Sequence, residues 1–413
     1  MSAASDGSPD FPRAAGSSGS SGASGPEGSE GSAERDGTAG FEKHDGTAGS
    51  EERDGTAGSV GSVGSAVPWV PADLDLAERP GIPASKIVLG ALSLVLVLVV
   101  LIWALPWATG ASWAQIFGTL AGAPVWAVPA VTLLGAAALV LETVTVRTAV
   151  TGSRYSSALL GHTASAGLGL ALPGGSVLGL GLMGWILRRA GLTIPVILTG
   201  IIAASLVEMV TTSILVPLLG LGAYAVSSTL GITVLSLPGA LWAALIAVLG
   251  AMVALALLVV VLRRGSLAGI LGRLDGLVPA HVAAGILTQR NALVEMLRQR
   301  PLMLLLPTLA ARALQWTALL LAIHAVGADV PLLLTVAVFA LGRVISLVPI
   351  TPGGAGIAET VGAAALVALG VGAADAAAAM LLMLVTTLVV PLVAGAVSTA
   401  IAFTLPAVPR RGA

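Results

Sequence analysis

The chain has 413 residues, of which 56% are hydrophobic and only 10% charged, with a mean hydropathy of +0.97. A soluble domain cannot hide that much apolar surface, and several runs exceed the roughly 18 apolar residues that mark a membrane span. The formal net charge of −1 conceals two opposed parts: residues 1–86 carry fourteen of the 21 acids and six of the 20 bases, and the remainder is basic. There is no cysteine, which excludes disulfides and thiolate metal sites, and the four histidines (His44, His162, His281, His324) show no metal-ligand spacing.

Residues 1–66 are Gly, Ser, Ala and acid, too poor in large apolar residues to build a core, and predict a disordered acidic tail. Within them Asp-Gly-Thr-Ala-Gly recurs at 36–40, 45–49 and 54–58, which reads as a solvated linker or as a repeated binding epitope. No apolar run follows the start, so a secretory signal peptide is not expected. Residues 67–86 form a juxtamembrane linker with Trp69 as an interfacial anchor.

Residues 87–406 form the membrane domain, and a short basic end follows at 407–413. Apolar segments fall at about 87–106, 124–146, 156–187, 194–219, 238–262, 302–324, 331–370 and 376–403. The third is interrupted by Leu-Pro-Gly-Gly-Ser at 172–176 and the seventh by Ile-Thr-Pro-Gly-Gly-Ala-Gly at 350–356. Proline and glycine at that density end one helix and begin another.

Loops that carry Lys or Arg alternate with loops that carry none, and every basic loop falls on one side only if the third and seventh segments enter the membrane and return. The expected fold is therefore an all-α polytopic membrane protein with six full spans and two re-entrant helical hairpins, both termini cytoplasmic. Eight spans is the alternative. A span, a broken hairpin and a span at 124–219 recur at 302–403. Parity makes the hairpins open from opposite faces, an inverted repeat of the kind that marks a transporter's binding site. The connector at 265–301 places Val282, Ile286, Leu293 and Leu297 on one helical stripe with Arg290, Arg298 and Arg300 among its polar residues. That pattern suits an interfacial helix on anionic lipid, or an ordinary cytoplasmic connector.

Charges at membrane depth are tolerated only against protein or a water-filled cavity. Glu208 and Arg312 fall near the middle of the fourth and sixth spans, and Arg343 and Glu359 on the two arms of the second hairpin. Glu142, near the cytoplasmic end of its span, has Arg147 as a neighbouring partner. Each of these charges, taken alone, also reads as a structural ion pair. Around the second break Thr351 is placed to cap a helix opened by Pro352, with Glu359 about two turns further in. Gly353, Gly354 and Gly356 allow backbone to approach a ligand, and free amides at a helix start favour phosphate. Pro173, Gly174, Gly175 and Ser176 occupy the matching place in the first hairpin. No nucleophile triad, nucleotide loop or metal cluster is evident, so neither catalytic residues nor a cofactor are expected.

The stretch Pro349-Ile-Thr-Pro-Gly-Gly-Ala-Gly-Ile-Ala-Glu359 resembles the signature of the lysylphosphatidylglycerol synthase transmembrane family, flippase-like membrane proteins. The family pattern maps onto Pro349, Thr351, Pro352, Gly353, Gly354, Gly356 and Glu359. Residues 172–192 and 311–327 are similar to the family's earlier glycine-rich stretch and to its arginine-bearing helix. The early half lacks the family's more usual acidic residue and arginine just after its glycines. The resemblance covers about 120–403 and implies a stand-alone member without the aminoacyl-transferase domain that some relatives carry. It implies a cell-membrane protein that binds or translocates a phosphate-bearing lipid, phospholipid or polyprenyl phosphate, with membrane lipids and not nucleic acid as partners. A membrane-embedded lipid-linked transferase with Glu359 as base, and a small-solute secondary transporter, are the alternatives. The oligomeric state is not readable from the sequence.

Overall fold

The computed structural model describes residues 84–172, 175–229, 240–273, 280–346 and 351–404. The acidic tail, Pro173, Gly174, Pro349 and the basic end lie outside the described residues. Those described are predominantly helical, joined by short turns, and contain no strand.

The elements follow the apolar segments. Helix α1 (Ala84–Thr109) leads to α2 (Trp113–Gly122), a short helix that the sequence reading left as loop. Ser112 starts α2 through a capping box with Gln115, the local signal for a helix of this length. The span α3 (Ala127–Ala149) is followed by the hairpin α4 (Tyr155–Ala171) and α5 (Gly175–Arg189). The next span is α6 (Ile194–Met209), a π-helical turn (Val210–Leu215) and α7 (Val216–Thr229), followed by α8 (Ala240–Leu262). The connector is two helices, α9 (Arg264–Arg273) and α10 (Ala280–Gln299), where a single stripe was expected. Helix α11 (Pro301–Ala325) precedes the second hairpin, α12 (Leu332–Ile345) and α13 (Ile357–Ala368). The last span is α14 (Ala373–Leu384), a π-helical turn (Val385–Val389) and α15 (Val390–Thr404).

Among the described residues five helices are long and apolar enough to cross a membrane: Val88–Thr109, Ala127–Ala149, Ile194–Val226, Pro301–Ala325 and Ala373–Thr404. Helix α8, with 23 residues, is about 34 Å long at 1.5 Å per residue and also matches a hydrocarbon core of about 30 Å. The hairpin arms have 17, 15, 14 and 12 residues, about 18–26 Å, and fall short of it. The protein is an all-α polytopic membrane protein.

The two halves interleave. Helices α3 and α11 pack against each other at the centre. Helix α4 packs on α15, and α12 packs on α7, so each half's last span holds the other half's hairpin. The same local device makes both crossings. A Cβ on Gly395 would stand 2.5 Å from Gly167 Cα and 2.8 Å from Thr163 O, and one on Gly220 would stand 2.8 Å from Val336 O. Small residues let backbones approach where lipid supplies no hydrophobic drive to associate. Gly220 and Gly395 end matching stretches, Val-Pro-Leu-Leu-Gly (216–220) and Val-Pro-Leu-Val-Ala-Gly (390–395). The two hairpins are separated along the chain by the Ile194–Val226 span, α8 and α11. Their tips meet: Leu170, in the last turn of α4, covers Gly353 at the second break. Around this centre the outer faces of α1 and α8 stay apolar and exposed, with Trp103, Trp107, Ile246 and Leu249 turned toward lipid.

Candidate functional site: a polar core between the two hairpins

The second break is built by glycines in left-handed backbone: Gly353 (φ 61°), Gly354 (φ 72°) and Gly356 (φ 86°). A Cβ on Gly354 would collide with the Ser346 backbone, and one on Gly353 with Leu170. These glycines are therefore required for packing and not only for approach to a ligand. The helix start differs from the sequence expectation. Pro352–Gly354 is a single 3₁₀ turn, Gly356 is the N-cap of α13, and Glu359 stands in the first turn. The Thr351 hydroxyl is buried with no partner among the described residues, because the three positive-φ glycines turn the chain away before a helix can begin at Pro352. Glu359 Oε2 accepts the Gly356 N–H at 2.7 Å, so the carboxylate satisfies the end of its own helix. Its other oxygen accepts the Thr387 hydroxyl at 3.2 Å.

Thr387 reaches Glu359 from the π-helical turn of the last span. That turn has a physical cause. Pro391 has no N–H and its ring excludes the carbonyl four residues back, so Val390 N–H bonds instead to Val385 O, five residues back. The other half repeats this: Pro217 follows Val216, whose N–H bonds to Thr211 O. Both turns open with Val-Thr-Thr (210–212 and 385–387). Each delivers its second threonine to a carboxylate, Thr387 to Glu359 and Thr212 to Glu208 Oε1 at 2.8 Å.

Two cavities flank the centre. The first, about 100 Å³, is lined by Arg343, Glu359, Thr387, Gly353 and Ser346 together with apolar Leu170, Leu319, Phe339 and Met383. The second, about 150 Å³, is lined by Glu142, His162, Ser165, Ser205, Glu208 and Thr308 with apolar Leu180 and Met183. A continuous chain of polar contacts joins them. Arg343 Nη2 donates to Gln315 Oε1 at 2.9 Å, and Arg312 Nη1 donates to the same oxygen at 2.5 Å. Arg312 Nη2 pairs with Glu142 at 2.9 Å and with Glu208. Glu142 Oε2 lies 3.1 Å from His162 Nε2. Arg312 is buried, and its Nε has no partner among the described residues. Arg343 rests over the Phe339 ring, 4.9 Å to the centroid, and forms no ion pair among the described residues.

The sequence-predicted residues therefore divide. Arg343, Glu359 and Gly353 share the first cavity, and Glu208 lines the second. Arg312, expected in one cavity with Glu359, lies between the two and reaches Arg343 only through Gln315. The expected Glu142–Arg147 pair is replaced by Glu142–Arg312, because Glu142 faces α11 whereas Arg147 is exposed. In the first hairpin Gly175 is buried against Leu168 and Leu172, while Ser176 is exposed on α5; neither lines a cavity described above. His162, Gln315, Thr212 and Thr387 were not foreseen. The duplicated Val-Thr-Thr followed by Val-Pro-Leu was the legible signal for the threonines, whereas nothing local marked His162 or Gln315. Among the described residues no cluster of three His, Cys, Asp or Glu could hold a metal ion.

A search of the curated proteins found no match. The family model described as the lysylphosphatidylglycerol synthase TM region matches residues 90–395, a span that holds both hairpins, both π-helical turns and every residue of the polar core, and the chain belongs to that family.

Proposed function

We propose that the polar core binds the headgroup of a phosphate-bearing lipid, phospholipid or polyprenyl phosphate, and moves it between leaflets of the cell membrane, with both termini cytoplasmic. The observation that carries this reading is Arg343. It is a guanidinium in an apolar-walled cavity, without an ion pair among the described residues and with its fork of donors only partly used. Such a fork suits a phosphate oxygen pair, which gains most where water is excluded. Glu359, held by Gly356 and Thr387, offers an acceptor for a headgroup hydroxyl or amine on the same wall. The two cavities, separated by the polar bridge of Arg312, Gln315 and Arg343, support the reading, since alternating access needs a site between two repeats. The role is translocation without bond chemistry on the lipid.

The test is reconstitution of the full chain into liposomes with labelled phospholipids and a labelled polyprenyl phosphate, scored by the fraction of label that becomes accessible from outside. Wild-type protein accelerates exchange of at least one phosphate lipid over empty liposomes, and Arg343→Gln abolishes the gain. Equal rates for empty, wild-type and Arg343→Gln liposomes with every lipid overturn the reading.

A further inference from the structure

The polar core holds three carboxylates, Glu142, Glu208 and Glu359, and two guanidiniums, Arg312 and Arg343. One negative charge therefore lacks a counterpart. Arg312 serves both Glu142 and Glu208, so the excess falls beside Glu142, which is 11% exposed, where uncompensated charge is costly and a proton relieves it. Among the described residues His162 is the histidine that reaches this core, with Nε2 beside Glu142 Oε2. We infer that the Glu142–His162 pair is a proton-binding site whose proton completes the charge balance of the core, and that an anionic headgroup bound there travels with that proton. The second half rests on the phosphate-lipid reading, and the first does not.

The surroundings of the pair fit a site that exchanges one proton. Helix α5 presents Leu180 and Met183 to it, and α6 presents Ser205 and Glu208. Helix α11 presents Thr308, Arg312 and Gln315, with Arg343 of α12 behind Gln315 and Glu359 of α13 in the cavity beyond. Ser398 of α15 bonds Thr163, one residue from His162, and is neutral. No other charged side chain among the described residues contacts the pair. The cavity beside it gives a route for protons, because the Glu208 side chain at its wall is 42% exposed while Glu142 is 11% exposed. A headgroup phosphate on either arginine brings another negative charge to a core already short of one positive. Anion and proton therefore stabilise each other's binding, reciprocally by linkage.

Two measurements test this. In detergent micelles, NMR of the ¹⁵N-histidine-labelled full chain follows His162, assigned by its loss in His162→Gln. Glu142→Gln removes a negative neighbour and added phosphatidylglycerol supplies one, so they displace the His162 titration in opposite directions. A titration unmoved by Glu142→Gln overturns the proton site, and one unmoved by phosphatidylglycerol overturns its link to the anion. In liposomes carrying the labelled lipid that wild-type protein exchanges, an imposed pH gradient biases the label toward one leaflet by up to tenfold per pH unit, the limit for one proton per lipid. His162→Gln loses that bias. Wild-type exchange that ignores the gradient overturns coupling while leaving translocation intact, and a bias retained in His162→Gln overturns the assignment to His162. Absence of any exchange overturns the translocation reading and the joint movement with it, and the histidine titration still decides the proton site.

Discussion

Arg312→Leu removes the guanidinium on which α3, α6 and α11 converge. The side chain is 7% exposed and serves two carboxylates and Gln315. Breaking a buried pair by deleting one partner costs about 3–5 kcal/mol, because the partner is left charged and unpaired. Glu142, 11% exposed, bears that cost, whereas Glu208 at 42% exposure is screened by solvent and adds little. At about 2 °C per kcal/mol for a chain of this size, the apparent melting temperature in detergent should fall by roughly 6–10 °C. The assay is the midpoint of loss of the monodisperse peak on heating, read at one fixed heating rate. Adding Glu142→Gln to the leucine variant removes the stranded charge, and the double variant should regain about half of the loss. A leucine variant melting within 2 °C of wild type, or no recovery in the double variant, would show that the Arg312 pairs do not hold the centre together.

Gly395→Ala places a Cβ against the Gly167 backbone and should destabilise by about 1–3 kcal/mol. Gly222→Ala in α7, where the added methyl meets nothing within 4 Å, should leave the melting temperature unchanged or slightly raised. Thr387→Val keeps shape but removes the hydroxyl on Glu359, at a cost of about 1 kcal/mol, and should lower lipid exchange more than stability. Glu359→Ala deprives Gly356 N–H of its acceptor and should cost about 1–2 kcal/mol, whereas Glu359→Gln keeps an oxygen in place and should cost less than half of that. A stability ranking that reverses the two Glu359 variants would show that the carboxylate does not cap α13.

Composition and periodicity alone determined that this chain lies in the membrane as helices, that two segments break at proline and glycine, and that the breaks recur in two halves. Those properties are local: an apolar run of given length, or a residue that cannot continue a helix, has its effect whatever packs beside it. The charged residues Glu208, Arg312, Arg343 and Glu359 were visible for the same reason, since a charge in an apolar run is conspicuous. Their pairing was not. Whether Glu142 meets Arg147, five residues on, or Arg312, far along the chain, depends on which face α3 turns toward α11, and only packing fixes that. His162 and Gln315 are ordinary polar residues until the interleaving of the halves brings α4 and α11 beside Glu142. The start of α13 was misplaced for a related reason. Thr351-Pro352 is a sound helix opening by itself, but the tight approach of Gly353 to Leu170 and of Gly354 to Ser346 holds the chain in left-handed backbone until Gly356. Tertiary contact, and not local preference, chose where that helix begins and so put Glu359 at its first turn beside Thr387.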